Sequence, residues 1–538
     1  MIGTSLPEYI FIRACIFLLQ YTTPLCLSIF LLRAIAVSHG DLALSLSSTT
    51  NRVLLAYSLL DTLYAIFLYV PYRRRLQQEA KHPPPLSAAG RRVLFERCLD
   101  HVPDLRRYLR LWFLGAEEAE VRRENVRDFL LWAFFDSRPD CKLTDDETQE
   151  LDNYIAIIEQ RTGRRFAPGR GKANGLRLTL DDIEICYRSV GWYFIIGLVD
   201  LVSHCQLAWH GFQYYAQPKS NFLSLVPFRV QDLLSRRRSA AEKLSYWYRP
   251  HTATDKLPIV FLHGIGVGLF TYIPYLTEIN PNSSKTDGQI GIIAVEILPI
   301  SFRLTSTPLS KGEFLDQVTI ILAAHGWDNF VLASHSYGTA LATHMLQSST
   351  LSPRIDSALL IDPVSILLHL PDVAYNFTRR QPRRANEWQL WYFATMDPGV
   401  AHCLGRHFFW KDNIAWKEDL VQVVGKSSVD GSVGSGNRTG HRQRRRVAVC
   451  LSERDLIVDT VAVARYLAGS DDWMASAGEG WGEGIPGSSK PDDILSRGHL
   501  TDDGIEILWF PGLDHAQAFN MRPFRHRLSS ITRRYCAK

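Results

Sequence analysis

Six short apolar runs in the second half of this 538-residue chain constrain its fold more than any other feature. Stretches with apolar residues at three- and four-residue spacing, such as 312–324 and 338–347, separate most of these runs. A chain that alternates strands and helices in this way builds a mainly parallel sheet covered on both faces. Reactive side chains in such sheets gather at the carboxyl ends of the strands. The predicted strands are 258–262, 290–297, 330–333, 355–361, 447–451 and 505–510.

The loop after the third predicted strand reads Ser334-His335-Ser336-Tyr337-Gly338. Because it lies between an apolar run and a helical pattern, we predict a sharp strand-to-helix turn with Ser336 at its apex. Small residues two positions before and after Ser336 allow such a turn to close. A serine held in this way exposes its hydroxyl at the edge of the sheet, which makes Ser336 a candidate nucleophile.

Three other predicted strands are followed by residues that would complete a site. His263-Gly264-Ile265-Gly266 follows the first strand, Asp455 comes soon after the fifth, and His515 comes soon after the sixth. The order along the chain is therefore Ser, Asp, His, each in a loop after a strand. Together with the HGxG turn, this arrangement resembles the α/β-hydrolase superfamily over about residues 246–538.

The resemblance implies an α/β-hydrolase fold and a serine hydrolase mechanism. Ser336 would be the nucleophile, His515 the base that activates it, and Asp455 the acid that orients and stabilises the imidazole. The backbone N–H groups of Ile265 and Tyr337 would stabilise the oxyanion, each contributing roughly 3 kcal/mol. No metal and no organic cofactor is implied.

Four residues near these positions have alternative interpretations. Asp362 also ends a strand and is the alternative acid, because some hydrolases take their acid from that position. His335 is expected to pack beneath the turn, and His263 to support the oxyanion turn, both as structural residues. Asp514 is expected to be an acid of the loop that points away from the imidazole.

The alternation of strands and helices stops between residues 363 and 425, where an aromatic-rich helical segment intervenes. Insertions at this point form the cap in many α/β-hydrolases, so we predict a helical cap here. Its aromatic rings would line an apolar pocket for an acyl or lipid-like group, or would form the core of the cap itself. Two Gly- and Ser-rich insertions, 426–446 and 469–504, are predicted to be disordered.

Two long apolar runs near the N-terminus, about 14–32 and 53–70, predict a transmembrane helical hairpin within residues 1–80. Ten strongly apolar residues favour insertion of each run by about 4.5 kcal/mol, and Asp61 in the second run opposes it by about 3 kcal/mol. A cleaved signal peptide fits less well, because no basic segment precedes the first run. Basic residues crowd the far side of the second run, at Arg73, Arg74 and Arg75, so the chain after Pro71 is expected to face the cytosol. The endoplasmic reticulum is our guess for the membrane.

The segment from 81 to 245, which we call the helical region, shows helical periodicity and no recognisable chemistry. Helices are predicted over 121–135 and 144–160, the second opened by a capping box at Thr144. Residues 168–172 do not fit a phosphate-binding loop and are predicted to be an ordinary loop. The apolar stretch 192–209 carries Asp200 and is predicted to pack on the catalytic unit or lie in the membrane interface.

Charge and cysteine content narrow the function further. With 60 basic and 55 acidic residues the net charge is only +5, so nucleic acid is not an expected partner. The nine cysteines show no metal-binding spacing and fit reduced thiols in a cytosol-facing domain.

The leading hypothesis is a membrane-anchored serine hydrolase of a carboxylic ester or thioester, with a lipid-like substrate. The alternatives are a non-catalytic membrane protein on the same scaffold and an acyltransferase that uses the same three residues.

Overall fold

The computed structural model describes residues 1–39, 49–280, 288–424, 443–470 and 498–538. Most of the loop between the two N-terminal helices lies outside the described residues. The same is true of most of the two insertions predicted to be disordered, 426–446 and 469–504.

A nine-stranded mixed sheet forms the centre of the second half of the chain. We number its strands in chain order, and they lie side by side in the order β1-β2-β4-β3-β5-β6-β7-β9-β8. From β4 to β9 neighbouring strands are parallel, whereas β1, β2 and β8 pair antiparallel with their neighbours. The strands are Gln213–Tyr215, Tyr246–Arg249, Ile259–Leu262, Ile292–Val295, Phe330–His335, Ile355–Ile361, Arg446–Ser452, Gly498–Leu500 and Ile505–Phe510.

Both faces of this sheet are buried along its central strands, as expected for strands with almost no polar side chains, whereas β8 at one edge is mostly exposed. In β3, Val260 and Leu262 belong to the core on one face, and Ile259 and Phe261 to the core on the other. Alternate residues of a strand point to opposite faces, so each strand contributes to both cores. The result is an α/β-hydrolase-like fold. The packed helices include Ile273–Glu278, Lys311–Ala324, Tyr337–Gln347, Thr460–Ala468, Gln517–Asn520 and Arg522–Cys536.

All six predicted strands are confirmed, but the sequence analysis missed the three other strands of this sheet. Strands β1 and β2 were not predicted, because each is only three or four residues long and contains a polar or charged residue, so neither forms an apolar run. Strand β8 lies within the insertion 469–504, so the prediction of disorder was wrong for its last residues. It was also wrong near residue 446, where Arg445 is buried and donates hydrogen bonds to the carbonyl oxygens of Ile355 and Ser352. Composition treats arginine as a solvated residue and cannot reveal such internal partners.

A helical segment between β6 and β7 covers the edge of the sheet where the strands end. It corresponds to the predicted cap, and we keep that name for residues 363–425. Two of its segments are π-helical. Its helices are Pro371–Thr378, Ala385–Gln389, Leu390–Thr395, Pro398–His402, Cys403–His407, Trp410–Asn413 and Lys417–Leu420. A short antiparallel pair, Val423–Val424 with Gln443–Arg444, closes the segment.

The helical region has a hydrophobic core of its own, which includes Phe129, Leu151 and Ile155. Both predicted helices are confirmed, and the capping box is present because Thr144 Oγ1 accepts a hydrogen bond from the N–H of Glu147. Residues 168–172 contain no helix or strand, as predicted. The main helices are Ala88–Asp100, Leu105–Trp112, Arg123–Phe135 and Asp145–Thr162.

Two long N-terminal helices form the expected hairpin. The first is Leu6–Ser38, and the second runs from Thr49 to Leu76 with a π-helical turn at Ala65–Tyr69. Asp61 is fully buried, and it accepts hydrogen bonds from the Thr23 hydroxyl at 2.6 Å and from the N–H of Val190 at 2.9 Å. The polar residue of the second helix is therefore satisfied within the protein, which lowers the cost of placing it in an apolar environment.

A third helix, Val190–Trp209, begins beside Asp61 and packs on the sheet unit through Trp192 and Ile196. Asp200 on this helix pairs with Arg229 at 3.0 Å and with Arg303 at 2.7 Å. By length and apolar composition all three helices could cross a membrane. The sum of insertion free energies over the sequence did not predict a membrane span for the third helix. That sum counted only the strongly apolar residues and included the full insertion cost of Asp200.

Candidate active site

Ser336 lies at the apex of the turn between β5 and the helix Tyr337–Gln347. Its backbone has φ 50° and ψ −123°, in the region that residues with a side chain rarely adopt. The turn is tight, since a Cβ atom added at Gly338 would lie 2.3 Å from the carbonyl oxygen of Leu262. Ser334 occupies the other small position and is completely buried. The predicted turn is therefore present, and glycine is required at 338 by close packing against β3.

Replacing Gly338 with alanine should destabilise the protein by about 1–3 kcal/mol and lower any activity about 100-fold. The added methyl must push the helix away from β3, and a displacement of about 1 Å at a reacting group costs activity on this scale. Gly312→Ala is the matched control, because a Cβ atom there meets nothing within 4 Å. Chemical denaturation measures both variants, and equal stability of the two would contradict the packing argument.

His515 lies between Ser336 and Asp455. Its Nε2 atom is 2.8 Å from Ser336 Oγ, and its Nδ1 atom is 2.7 Å from Asp455 Oδ2. The other oxygen of Asp455 accepts hydrogen bonds from the N–H groups of Ile457 and Val458, at 2.8 and 3.0 Å. With a proton on Nδ1, the imidazole donates to Asp455 and its Nε2 atom can accept the serine proton.

Asp362, the alternative acid, occupies a different position. Its Oδ1 accepts a hydrogen bond from the N–H of Ser452 at 3.1 Å, and its Oδ2 accepts one from the N–H of Ala516 at 2.8 Å. Ser452 is the last residue of β7, immediately before the loop of Asp455, and Ala516 follows His515 in its loop. Asp362 therefore holds the two loops together, and the imidazole of His515 makes its direct hydrogen bond with Asp455.

Two buried histidines support the turns around Ser336. The Nδ1 atom of His263 lies 2.8 Å from the carbonyl oxygen of Gly264. Its Nε2 atom accepts a hydrogen bond from the N–H of Ile297 at 2.9 Å. His335 Nδ1 lies 2.8 Å from the hydroxyl of Tyr272, which also accepts a hydrogen bond from the N–H of Gly264. Burial lowers the pKa of both histidines to about 4, so both are neutral at physiological pH. These positions agree with the structural roles expected for them.

Asp514 does not contact the imidazole ring of His515. Its Oδ1 accepts hydrogen bonds from the N–H groups of Leu456 and His515, and its Oδ2 accepts one from the side chain of Asn386 in the cap, at 2.6 Å. Burial raises the pKa of the Asp514 carboxyl group. Asp514 thus connects the cap to the loops of the site, as a loop residue.

Ile265 and Tyr337 lie next to Ser336 at the same cavity. Within the described residues, neither backbone N–H group of this pair donates to a carbonyl oxygen or a side chain. Tyr337 is the first residue of its helix, where a free N–H group is normal and the helix dipole favours negative charge. Both groups are therefore available for an anionic oxygen.

The protonation of His515 depends mainly on opposing effects of burial and Asp455. Burial disfavours the charged imidazole, but attraction and hydrogen bonding to Asp455 outweigh it, with further contributions from Asp362 and Asp514. The net effect raises the pKa of His515 to about 9. Only a neutral imidazole can accept a proton, and the neutral fraction of His515 increases as the pH rises toward this value.

We expect kcat/KM for any ester substrate to rise with pH up to about 9, because His515 loses its proton over that range. In Asp362→Asn the rising limb should move to lower pH, since one carboxylate that favours the charged imidazole is removed. A pH–rate profile of both proteins gives the comparison. An identical limb in the two proteins would show that Asp362 does not influence His515.

A cavity opens at Ser336. Most of its lining side chains are apolar, and they come from the sheet edge, the cap and the helical region. From the cap these are Val364, Leu368, Val373, Ala374, Phe377, Leu404, Phe408, Phe409 and Trp410. Cap aromatic residues thus face the cavity as well as packing with each other, so both interpretations of them hold in part.

The same loops could in principle hold a cation. Asp362, Asp455 and His515 offer potential ligand atoms that all lie within 4.8 Å of one another. The atoms concerned are engaged in hydrogen bonds, because His515 Nδ1 bonds to Asp455 and both oxygens of Asp362 accept from backbone N–H groups. The donor set therefore fits a hydrogen-bonded relay better than a metal site.

Sequence reasoning did not identify two residues that shape this site. Tyr272 joins the turn at Gly264 to His335, and Asn386 joins the cap to Asp514. Tyr272 follows the HGxG turn by only a few residues. The sequence could therefore have predicted that Tyr272 lies near this turn, but not which hydrogen bonds it makes. Nothing in the sequence around Asn386 indicates its partner 128 residues away.

No protein-family profile and no curated protein matches this sequence. Among solved structures, the chain is similar to a bacterial membrane phospholipase A, at 11% identity, 63% coverage of this chain, 92% of that chain and TM-score 0.34. It is also similar to a putative lipase from Acinetobacter baumannii AYE, with 10% identity, coverages of 62% and 96%, and TM-score 0.35. A carboxylesterase structure from Nitrososphaera gargenis matches at 11% identity, with coverages of 54% and 95% and TM-score 0.30. Other matched structures are named as carboxylesterases and hydrolases.

Proposed function

We propose that this protein is a membrane-anchored serine hydrolase that cleaves a carboxylic ester or thioester with an apolar, lipid-like acyl group. The observation that carries the proposal is the position of His515, within 2.8 Å of Ser336 Oγ and 2.7 Å of Asp455 Oδ2. A hydroxyl, an imidazole and a carboxylate in this sequence of contacts can perform nucleophilic catalysis.

In the first half of the reaction, Ser336 Oγ attacks the carbonyl carbon while its proton passes to His515 Nε2. The N–H groups of Ile265 and Tyr337 stabilise the resulting oxyanion. The bond to the leaving alcohol or thiol then breaks, and His515 returns the proton to that group. The product is an acyl ester on Ser336, and Asp455 stabilises the imidazolium while it exists.

In the second half, water attacks the acyl-enzyme and gives a proton to His515. The bond between the acyl group and Ser336 breaks, Ser336 recovers the proton, and a carboxylic acid is released. Each step uses only this chain's own residues and water.

Exposed apolar residues on the hairpin support attachment to a bilayer. Leu18, Leu32 and Phe67 each expose about two thirds of their surface, at 67%, 66% and 68%. Continuous exposed apolar surface of this kind is costly in water and marks a membrane or protein contact. The basic residues that follow the hairpin favour a cytosolic orientation of the catalytic unit, and the endoplasmic reticulum is the membrane that we propose.

The proposal is tested with membranes from cells that express the full chain. After washing with alkaline carbonate, the membrane pellet should hydrolyse p-nitrophenyl esters of fatty acids above the level of control membranes. Activity released into the wash would contradict membrane anchoring. A pellet that contains the protein but cleaves neither esters nor thioesters would contradict the hydrolase assignment.

A further inference from the structure

The helical region forms part of the cavity wall, although it is distant from Ser336 along the chain. Trp112, Trp132, Leu178 and Thr179 all line the cavity that opens at the nucleophile. Asp136 of the helical region also lines it, and the other contributions come from the cap, from Ile457 and from residues near Ser336. The wall of the cavity is therefore shared by two parts of the protein, only one of which belongs to the α/β-hydrolase unit.

The two tryptophans are held in fixed positions. Their ring centres lie 5.6 Å apart, and the indole N–H of Trp132 donates a hydrogen bond to Thr179 Oγ1 at 2.9 Å. Both rings are almost fully buried in the core of the helical region. A rigid aromatic surface of this kind sets a fixed boundary for whatever occupies the cavity.

Contacts with the cap fix this boundary relative to Ser336. The ring of Phe408 lies 5.7 Å from the ring of Tyr337, the residue after the nucleophile. Three residues further on, Lys411 forms an ion pair with Asp136, and Trp410 donates a hydrogen bond to the carbonyl oxygen of Ala133 at 3.0 Å. The segment 408–411 therefore leads from the nucleophile to the helix that carries Trp132.

The charges along the cavity indicate the chemistry of the group that it holds. Among the described residues that line it, Asp136 and Lys411 are the only charged side chains, and they neutralise each other. A carboxylate or phosphate would find no unpaired cation there, and burying it would be costly. An uncharged hydrocarbon chain fits the lining best.

We propose that Trp112 and Trp132 determine the length of the acyl chain that the enzyme accepts, so the helical region acts as the specificity wall of the active site. This inference rests on the proposed hydrolase function. The hydrocarbon chain would extend from Ser336 past Phe408 and Phe409 and end against the two indole rings. Chains that are longer than this path meet the rings and are rejected.

The test uses the full-length protein and p-nitrophenyl esters from acetate to palmitate. The readout is the ratio of kcat/KM for long and short esters, which does not depend on how much of the protein is folded. In Trp112→Ala and Trp132→Ala this ratio should rise about tenfold or more, because a hydrophobic pocket discriminates single methylene groups by 10-fold or more. Leu178→Trp, which adds volume at a half-buried lining position, should lower the ratio.

Phe113→Ala is the matched control. Phe113 belongs to the same core as the two tryptophans and is equally buried, but it does not line the cavity. This variant should lose stability and keep the wild-type ratio. An unchanged ratio in Trp112→Ala, Trp132→Ala and Leu178→Trp, or an equal change in Phe113→Ala, would overturn the proposal.

A binding measurement separates this proposal from the hydrolase assignment. Calorimetric titration of Ser336→Ala with linear alcohols from hexanol to hexadecanol needs no turnover. Affinity should fall beyond a limiting chain length, and the additional Trp132→Ala change should extend that limit. If Ser336→Ala gives this result but the wild-type protein hydrolyses no ester, the wall is supported and the hydrolase assignment is contradicted. Absence of any alcohol binding, or a limit that Trp132→Ala does not change, would overturn the wall.

Discussion

Replacing Ser336 with alanine should reduce ester hydrolysis by roughly 10⁴-fold or more, the largest effect that we expect of any single change. The hydroxyl oxygen is the atom that would form the acyl-enzyme. Without it, water would have to attack the ester directly, and this geometry serves that attack less well. The fold should be retained, because the change removes one oxygen from a side chain whose backbone position is held by the turn. Initial rates with a short-chain p-nitrophenyl ester measure the loss.

Ser334→Ala is the matched control for this experiment. Ser334 lies two residues earlier on β5, is fully buried, and its hydroxyl makes no hydrogen bond within the described residues. Its replacement should leave activity unchanged and alter the free energy of unfolding by about 1 kcal/mol or less. If Ser334→Ala lost activity as severely as Ser336→Ala, disturbance of the turn would explain both results and the nucleophile assignment would fail.

Asp455→Asn should lower kcat by roughly 10⁴-fold, the second large effect. An amide in this position cannot stabilise the imidazolium and favours the wrong tautomer of His515. Asp362→Asn should lose about tenfold or less, because it weakens hydrogen bonds to Ser452 and Ala516 but leaves the contact between His515 and Asp455 intact.

The pair of variants is compared by kcat at a pH near 9, where neutral His515 is most abundant in the wild type. Thermal unfolding of both proteins shows whether either loss reflects a defect in folding. A large loss in Asp362→Asn together with a small loss in Asp455→Asn would exchange the roles of the two carboxylates.

Much of the sheet and the position of Ser336 could be predicted because both depend on local sequence. Each long strand is a continuous apolar run, and the turn at 334–338 is defined by its own small residues. The order of Asp455 and His515 in loops after strands also follows from local patterns. Parallel strands then bring these loops to one edge, so proximity could be expected without any knowledge of side-chain partners.

The remaining features depend on contacts between distant segments. Arg445 is buried because carbonyl groups of β6 and its flanking residues surround it, and Asp61 is buried because Thr23 and Val190 bond to it. The contribution of Trp132 to the cavity depends on how the helical region packs on the cap. No local pattern specifies such pairs. For this reason the sequence alone indicated no role for the helical region.

Reaction of the protein with an alkyl fluorophosphonate, followed by mass spectrometry of its peptides, tests the central claim most directly. This reagent reacts covalently with serines that are activated by a neighbouring base. We expect a single adduct on Ser336, with labelling that is lost in His515→Ala. An unlabelled Ser336 in folded protein, or equal labelling of wild type and His515→Ala, would contradict an activated serine at this site.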